Sequence, residues 1–430
     1  MSNSKNDITK NIFNQSVKDS ACNIIWSANS IVIDGKVIKH PDITGISFDT
    51  RTLKAGDMFF ALKGERDGHN FVKQAIEKGA SCAVVEHEVC ENNIVVNSVL
   101  NTLVQIAQQR RAMFKGVVIG ITGSVGKTTS KQMLARSLQL AGKKIFATEK
   151  SYNNLLGLAY SLAQLPLDAE FAILELGTSN PGEIEQLSKL CCIDYSLVTA
   201  VAPAHIISFG TLKNIAIEKG QILKFASKGC VFDCNAWYSN LFKNIAQEND
   251  IPFRCFESCD DAMTSLHSAW RVLLEWLDVT VQFDDLLLNN IAGRRDVFKA
   301  SLNGKQVQII DSAYNANLSS MIESLKFLHK FDGPKTAILG DMLCIGDRSR
   351  RYHEMLACYL NDIELLCVGD HMRLLSEKKN GVWFENIPSL LEHLKTLQLD
   401  GTILIKGSSD GHKSSNDLAC VVEFFKSLSA

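Results

Sequence analysis

Val117-Val118-Ile119-Gly120-Ile121-Thr122-Gly123-Ser124-Val125-Gly126-Lys127-Thr128-Thr129 runs from an apolar segment through a glycine-rich turn into a polar one. Its first residues, Val117 to Ile121, form a short apolar run of the kind found in strands buried on both faces. Glycines follow, and a helix is expected from Thr128. Glycines between a strand and a helix let backbone N–H groups converge on phosphate oxygens, where the helix N-terminus adds partial positive charge. Gly123, Ser124, Val125, Gly126, Lys127, Thr128 and Thr129 are therefore expected to hold ATP. Lys127 would reach the terminal phosphates, and the Thr128 hydroxyl would sit on Mg²⁺. The spacing departs from the common GxxxxGK form, because Ile121 stands where its first glycine would be. A glycine turn beside a solvated Lys is the competing reading, and the strand before and helix after it weigh against that reading. Kinases, GTPases, motors and ligases all use such loops, and no guanine-specificity NKxD motif follows.

Working outward, strands near Phe171 to Leu176, Ser196 to Ala200 and Gly229 to Asp233 alternate with helical stretches such as Asn214 to Phe225. Strands that alternate with helices imply a parallel sheet covered by helices. After a boundary near Ala292-Gly293 the alternation resumes. Strands are expected at Gln306 to Ile310, Thr336 to Leu339, Leu365 to Val368 and Thr402 to Ile405. Helices are expected at Ser319 to Leu328, Ser349 to Leu360 and Leu418 to Leu428, so a doubly wound sheet fits. Before the loop, residues up to about Gln108 hold a strand signal at Met58 to Leu62 and a helix pattern from Phe71 to Ile76. The expectation is an α/β protein of three domains, 1–108, 109–292 and 293–430.

The bulk composition narrows the partners. The 430 residues are 46% hydrophobic and 21% charged, with a formal net charge of -2. No long basic block appears, which argues against nucleic acid, since binding a phosphate backbone needs clustered Lys and Arg. Met1 to Ser20 is polar and lacks the apolar stretch of a secretory signal. No segment approaches the roughly 18 apolar residues of a membrane span. The 13 Cys show no metal-type CxxC pair, and Cys191 and Cys192 are adjacent, which suits neither zinc nor an easy disulfide. Reduced thiols in a cytoplasmic protein are the expectation.

Several motifs then fall in a familiar order. The phosphate loop is followed by Ser151-Tyr152-Asn153-Asn154 with Leu156-Gly157-Leu158. Leu174-Glu175-Leu176-Gly177, Asn180-Pro181-Gly182-Glu183-Ile184 and Ala202-Pro203-Ala204-His205 come next. Ile215 to Ile222 with Glu218-Lys219, Ile310 to Asn317, Leu339-Gly340-Asp341-Met342 and Ile405-Lys406-Gly407-Ser408 extend the series. Near the start, Ser47-Phe48-Asp49-Thr50-Arg51, Ala55-Gly56-Asp57 and Asp67-Gly68-His69 add a further set. From about Ile46 to Ser408 the chain resembles the Mur ligases. Tyr314-Asn315-Ala316-Asn317 is similar to the branch that adds D-alanyl-D-alanine to UDP-N-acetylmuramoyl tripeptide. The Asp-Asn-Pro-Arg signature of the branch adding a diamino acid is absent.

The resemblance implies a small mixed α/β UDP-binding domain, a central P-loop ATPase domain and a C-terminal Rossmann-like domain. It implies an ATP-dependent ligase of peptidoglycan precursor synthesis in the cytoplasm, a monomer that passes through an acyl phosphate. Phosphate turns a carboxylate oxygen into a leaving group, so the protein's own work is positioning and charge neutralisation. Lys127, Glu175, His205 and Lys219 are the implied catalytic set. Thr128, Glu175, His205 and Lys219 are the implied holders of two Mg²⁺ ions, with Lys219 carbamylated. Asn235, Arg294 and Asp311 join the loop at ATP. Asp49, Thr50, Arg51, Asn153, Asn154, Tyr314, Asn315, Asn317 and Lys406 face the substrates.

Blander readings stand beside these. A carboxylate such as Glu175 at the end of an apolar strand is costly unless used. His205 alone reads as a turn residue, Lys219 alone as a solvated helix Lys, and Asn153-Asn154 as helix caps. The segment from Pro252 to Ala292 is short for the family and offers one helix candidate, around Ser268 to Val279, so the central sheet should lose an edge or a side sheet. Trp237-Tyr238 replace the usual acidic pair after Asn235. Cys344 stands where relatives often carry Glu, and Ser409 where Arg often follows Lys-Gly-Ser. A folylpolyglutamate synthetase and a decayed, non-catalytic ligase are the rival readings.

Overall fold

The structure is a computed structural model, and it describes residues 24–149, 152–281, 295–343, 349–408 and 417–428. The chain divides into two compact units, one of Met1–Met113 with Ala159–Pro166 and one of Phe114–Leu158 with Leu167–Ala430.

The first unit holds a two-stranded antiparallel ribbon, β1 (Val32–Ile33) and β2 (Lys36–Val37). Beside it in sequence is a parallel sheet of β3 (Gly45–Ser47), β4 (Asp57–Phe60), β5 (Cys82–Val85) and β6 (Asn93–Val95), in that order across the sheet. Strands β4 and β5 are buried throughout, as a parallel sheet covered on both faces requires. Phe59, Ala61 and Val85 pack there against Val72 and Ala75 of the helix Val72–Glu77. A helix runs without interruption from Val99 to Met113, across position 108. Its Arg110 is buried, donates to the carbonyl of Leu165 at 2.8 Å and lies over the Trp26 ring.

The second unit carries two six-stranded sheets. The first has the order β12-β11-β10-β7-β9-β8 and is parallel throughout. Its strands are β7 (Val117–Thr122), β8 (Ile145–Ala147), β9 (Phe171–Glu175), β10 (Tyr195–Val198), β11 (Gly229–Asp233) and β12 (Phe253–Phe256). Strand order reverses on either side of β7, so the loop after β7 opens at a topological switch point, where open α/β sheets bind ligands. Helices Lys127–Leu140 and Ala262–Trp276 share one face of this sheet. Leu134 and Leu138 meet Leu266, Trp270 and Leu273 over Ile119, Ile121 and Ile173. Among the described residues, the stretch that the sequence marked as short holds β12 and the helix Ala262–Trp276.

The second sheet has the order β13-β14-β18-β15-β16-β17. It comprises β13 (Asp296–Leu302), β14 (Lys305–Asp311), β15 (Lys335–Gly340), β16 (Glu364–Val368), β17 (Val382–Phe384) and β18 (Gly401–Lys406). All pairs are parallel except β13 with β14, a hairpin closed by Asn303 and Gly304. Both turn residues have positive φ, 47° and 83°, as a tight two-residue hairpin requires.

One expectation is corrected. The thiols are not all free, because Cys234 and Cys255 form a disulfide with Cα atoms 5.4 Å apart. Cys255 pairs with Phe232 across β11 and β12, which brings a neighbouring Cys234 alongside. A sequence separation of 21 gives no hint of this until the two strands are paired.

Candidate active site

The phosphate loop has the backbone that only glycine permits. Gly123 has φ +151°, and a Cβ there would lie 2.0 Å from the Thr199 hydroxyl. Gly126 has φ +86° and is the cap of the helix Lys127–Leu140, so the first N–H groups of that helix face the loop. The loop is stitched to the segment after β10. The Ser124 N–H donates to the Ala200 carbonyl at 2.7 Å, the Ser124 hydroxyl to the Ala202 carbonyl at 2.8 Å, and the Thr199 hydroxyl to the Val125 carbonyl at 2.5 Å. Lys127 folds back so that Nζ donates to the Gly123 carbonyl at 2.8 Å.

Glu175, the last residue of β9, is 2% exposed. Its Oε2 accepts from the Thr128 hydroxyl at 2.7 Å, and its Oε1 accepts from Asn153 Nδ2 at 2.9 Å. Lys131 Nζ lies 3.7 Å from the same Oε2 and donates to the Thr148 carbonyl at 2.6 Å. Burial alone would raise the Glu175 pKa, but Lys127, Lys131 and the two hydrogen bonds outweigh it and hold the group below the usual carboxylate range. The carboxylate is therefore charged. An oxygen anion beside a Thr hydroxyl, at the mouth of a phosphate loop, fits Mg²⁺, which takes one or two carboxylates together with substrate phosphates and waters. No cluster of three or more His, Cys, Asp or Glu that could hold a metal occurs among the described residues.

Lys219 is not a solvated helix residue. It is 4% exposed in the helix Leu212–Gly220, and burial, then the nearby Lys127, drive its pKa well below the ordinary lysine value. Its neighbour Glu218 anchors this helix. Its two oxygens accept from the N–H groups of Gly182 and Ile184, both at 2.8 Å, at the start of the helix Glu183–Cys191. His205 has φ 51° and a pKa lowered by burial, by Lys219 and by Lys127, so its imidazole is held neutral with a lone pair available.

A cavity of about 750 Å³ opens over the phosphate loop. Ser124 to Thr129, Asp233, Trp237, Tyr238, Phe256 and Arg295 line it, with Tyr314, Asn315, Asn317 and Lys406 from the segments around β14 and β18. Its size is that of a pocket for one cofactor-sized ligand. Lys406 is 4% exposed and donates to the Asn315 carbonyl at 2.8 Å. Asn317 also caps the helix Leu318–His329 in a reciprocal pair with Ser320. Arg295 stacks over Phe327 and pairs with Glu323 at 3.6 Å.

Other expected site residues lie elsewhere or do other work. The Asn154 side chain caps the helix Leu155–Ala163 through the Gly157 N–H, and Asp311 accepts from the Ala313 N–H at 3.1 Å. Asn235 is adjacent to the cavity lining, its N–H held by the Asp233 carboxylate at 2.9 Å. Asp49, Thr50 and Arg51 belong to the first unit. There Arg51 forms an exposed ion pair with Asp49 at 2.6 Å, and Thr50 donates to Gln74 at 2.9 Å. Arg294, Ser151, Cys344 and Ser409 fall outside the described residues. Three residues of the site went unremarked in sequence: Lys131, the anchoring role of Glu218, and Arg295. For Lys131 the one available signal was its spacing from Lys127 and Thr128, which puts all three on one helix face.

A parallel-sheet P-loop nucleotide-binding enzyme is the class that this fold and this loop define. Known proteins place it further. The profile of the Mur ligase family catalytic domain matches residues 42–115, and that of the Mur ligase middle domain matches residues 121–283. The chain is 30% identical to the UDP-N-acetylmuramoyl-tripeptide–D-alanyl-D-alanine ligase of Rickettsia prowazekii, over 90% of this chain and 97% of that protein. It is 28% identical to the Escherichia coli protein of the same name, over 88% and 94%. Among solved structures, MurF from Acinetobacter baumannii superposes with a TM-score of 0.75 at 23% identity, over 91% of this chain and 95% of that one. The MurF ligase from Thermotoga maritima in complex with ADP gives 0.72 at 23%, over 89% and 97%. The chain belongs to the Mur ligase family, whose members are ATP-dependent amide ligases.

Proposed function

We propose that this chain uses ATP to join D-alanyl-D-alanine to UDP-N-acetylmuramoyl tripeptide, in the cytoplasm and as a monomer. The observation that carries the chemistry is the buried, ionised Glu175 bonded to the Thr128 hydroxyl at 2.7 Å beside Lys127. Near full-length likeness to ligases of that name supports the choice of substrates. No helix among the described residues is long and apolar enough to cross a membrane.

In this reading the loop N–H groups and Lys127 bind the nucleotide phosphates, and Lys127 exchanges its bond to the Gly123 carbonyl for a phosphate oxygen. Trp237 and Tyr238 flank the base, and Asn235, Arg294 and Asp311 complete the nucleotide site. Thr128 and Glu175 would hold one Mg²⁺; His205, Glu175 and a carbamylated Lys219 would hold a second. These ions supply neutralisation of the charge that develops on the transferred phosphoryl group. Addition of CO₂ requires a neutral amine, which the burial of Lys219 favours, and the product carries an anion where a cation would repel metal.

Asn153 and Asn154 orient the tripeptide carboxylate toward the γ-phosphate. Asp49, Thr50 and Arg51 of the first unit take the UDP end. Tyr314, Asn315, Asn317 and Lys406 take the incoming dipeptide, whose amine then attacks the acyl phosphate and releases phosphate. The segments 1–108, 109–292 and 293–430 divide these tasks. Lys127→Ala tests the reading. It removes one charge from a loop without emptying a core, so the expected product is a folded protein without turnover. Near-normal catalysis by that variant contradicts the assignment.

A further inference from the structure

We infer that Lys131 is a positioning residue of the ligase site, and that it fixes the Glu175 carboxylate relative to Thr148 at the end of β8. The inference rests on the reading of Glu175 given above. Lys131 lies one helical turn beyond Lys127 and Thr128, on the same face of the helix Lys127–Leu140. It is 2% exposed, where an ordinary helix lysine extends into water. Its ammonium donates to the Thr148 carbonyl at 2.6 Å and lies 3.7 Å from Glu175 Oε2.

Those contacts sit at the ends of two paired strands. Thr148 follows β8, Glu175 ends β9, and Phe146 and Ala147 of β8 pair with Ala172 and Ile173 of β9. From Thr148 the chain leads to Asn153, whose amide returns to Glu175 Oε1 at 2.9 Å. The carboxylate is therefore held through both oxygens, by Thr128 and Lys131 of one helix at Oε2 and by Asn153 at Oε1. Thr128 is the one of these partners that a metal ion would also claim. When its hydroxyl turns away, Lys131 and Asn153 keep Glu175 in place. Lys131 thus does for the carboxylate what Lys127 does for phosphate, a division of labour between two lysines one turn apart.

The inference predicts a coupled defect. In Lys131→Met the Mg²⁺ concentration for half-maximal ATP binding, read by calorimetric titration with ATP, rises by about tenfold, the size of a coupling between contacting residues. The KM for the UDP-linked tripeptide rises with it, the KM for D-alanyl-D-alanine does not, and Lys131→Arg recovers part of both losses. A folded Lys131→Met with wild-type Mg²⁺ dependence and KM overturns the inference. If Lys131→Met does not fold, Glu175→Gln is compared with Glu175→Gln/Lys131→Met, in which no unpaired charge is left buried. Equal Mg²⁺ dependence of those two proteins supports the inference, and a further independent loss in the double variant overturns it. Lys127→Ala separates the two levels: its normal turnover would sink the reading of the site, whereas an inactive Lys127→Ala beside an unaffected Lys131→Met sinks the Lys131 inference alone.

Discussion

Glu175→Gln changes one charge at nearly constant shape, and the structure sets the size of its effects. The Gln carbonyl can still accept from the Thr128 hydroxyl, which now bonds the wild-type carboxylate at 2.7 Å. What disappears is the bond from Asn153, since an amide nitrogen cannot accept it, and the attraction to Lys127 and to Lys131, the latter 3.7 Å away. Two unit charges at that separation attract by about 4 kcal/mol at an effective dielectric near 20. Part of this is returned, because a neutral amide costs less to bury than a carboxylate. The Lys131 ammonium also keeps its bond to the Thr148 carbonyl. The net expectation is a destabilisation on the order of 1–3 kcal/mol, read as a fall of a few degrees in thermal midpoint. Activity should fall far more. Without the anion, a divalent ion beside Thr128 loses the Glu175 carboxylate, and a drop in kcat of about a hundredfold or more is expected, the scale of losing one electrostatic contact to a transition state. Circular dichroism melts and phosphate release on the same preparation separate the two effects. A folded Glu175→Gln with wild-type kcat and wild-type Mg²⁺ requirement would refute the reasoning.

Lys219→Ala should be nearly inactive and partly rescued by formate or acetate, which can occupy the space where the carbamate anion would lie; full activity without rescue at limiting Mg²⁺ would contradict the role given to Lys219. Because burial and Lys127 lower the Lys219 pKa, the neutral amine is more populated at a given pH than in an ordinary lysine, and ¹³CO₂ labelling seen by NMR should disappear as pH falls through the lowered value. Gly123→Ala should abolish ATP binding, since its Cβ would sit 2.0 Å from the Thr199 hydroxyl at a φ of +151°, a strain of about 1–3 kcal/mol before the clash is counted; calorimetric titration with ATP checks it. Asp261 is held at about 2, against an ordinary 3.8, by bonds to Thr264 and Lys330 that outweigh its burial. The sign follows from the depressed folded value: its contribution to stability is complete above pH 3.8 and lost as pH falls through about 2, so Asp261→Asn should flatten the acid limb of a thermal-midpoint profile in that window.

What could be read from the sequence, and what could not, follows from burial. The central strands β7, β9, β10 and β11 are almost wholly buried and therefore appear as apolar runs. The four strands of these two sheets that went unread, β8, β12, β13 and β17, are their four edges. Each is partly exposed along its length, so no apolar run marks it. The hairpin of β13 did leave a mark in Asn303-Gly304, a turn pair with a known backbone preference. Within the site, the phosphate loop was legible because glycine geometry is local. Lys131, Lys219 and Glu218 look like ordinary helix charges until the helices are packed, since their burial depends on residues tens of positions away. The Cys234–Cys255 disulfide likewise depends on the pairing of β11 with β12.

Phosphate release from ATP, measured with each acceptor supplied alone and together, decides whether this chain is the dipeptide-adding ligase. Release is expected only when UDP-N-acetylmuramoyl tripeptide and D-alanyl-D-alanine are both present, with a product heavier than the tripeptide substrate by the dipeptide less one water. Release with D-alanyl-D-alanine inert, while glutamate or a diamino acid supports turnover, would contradict it.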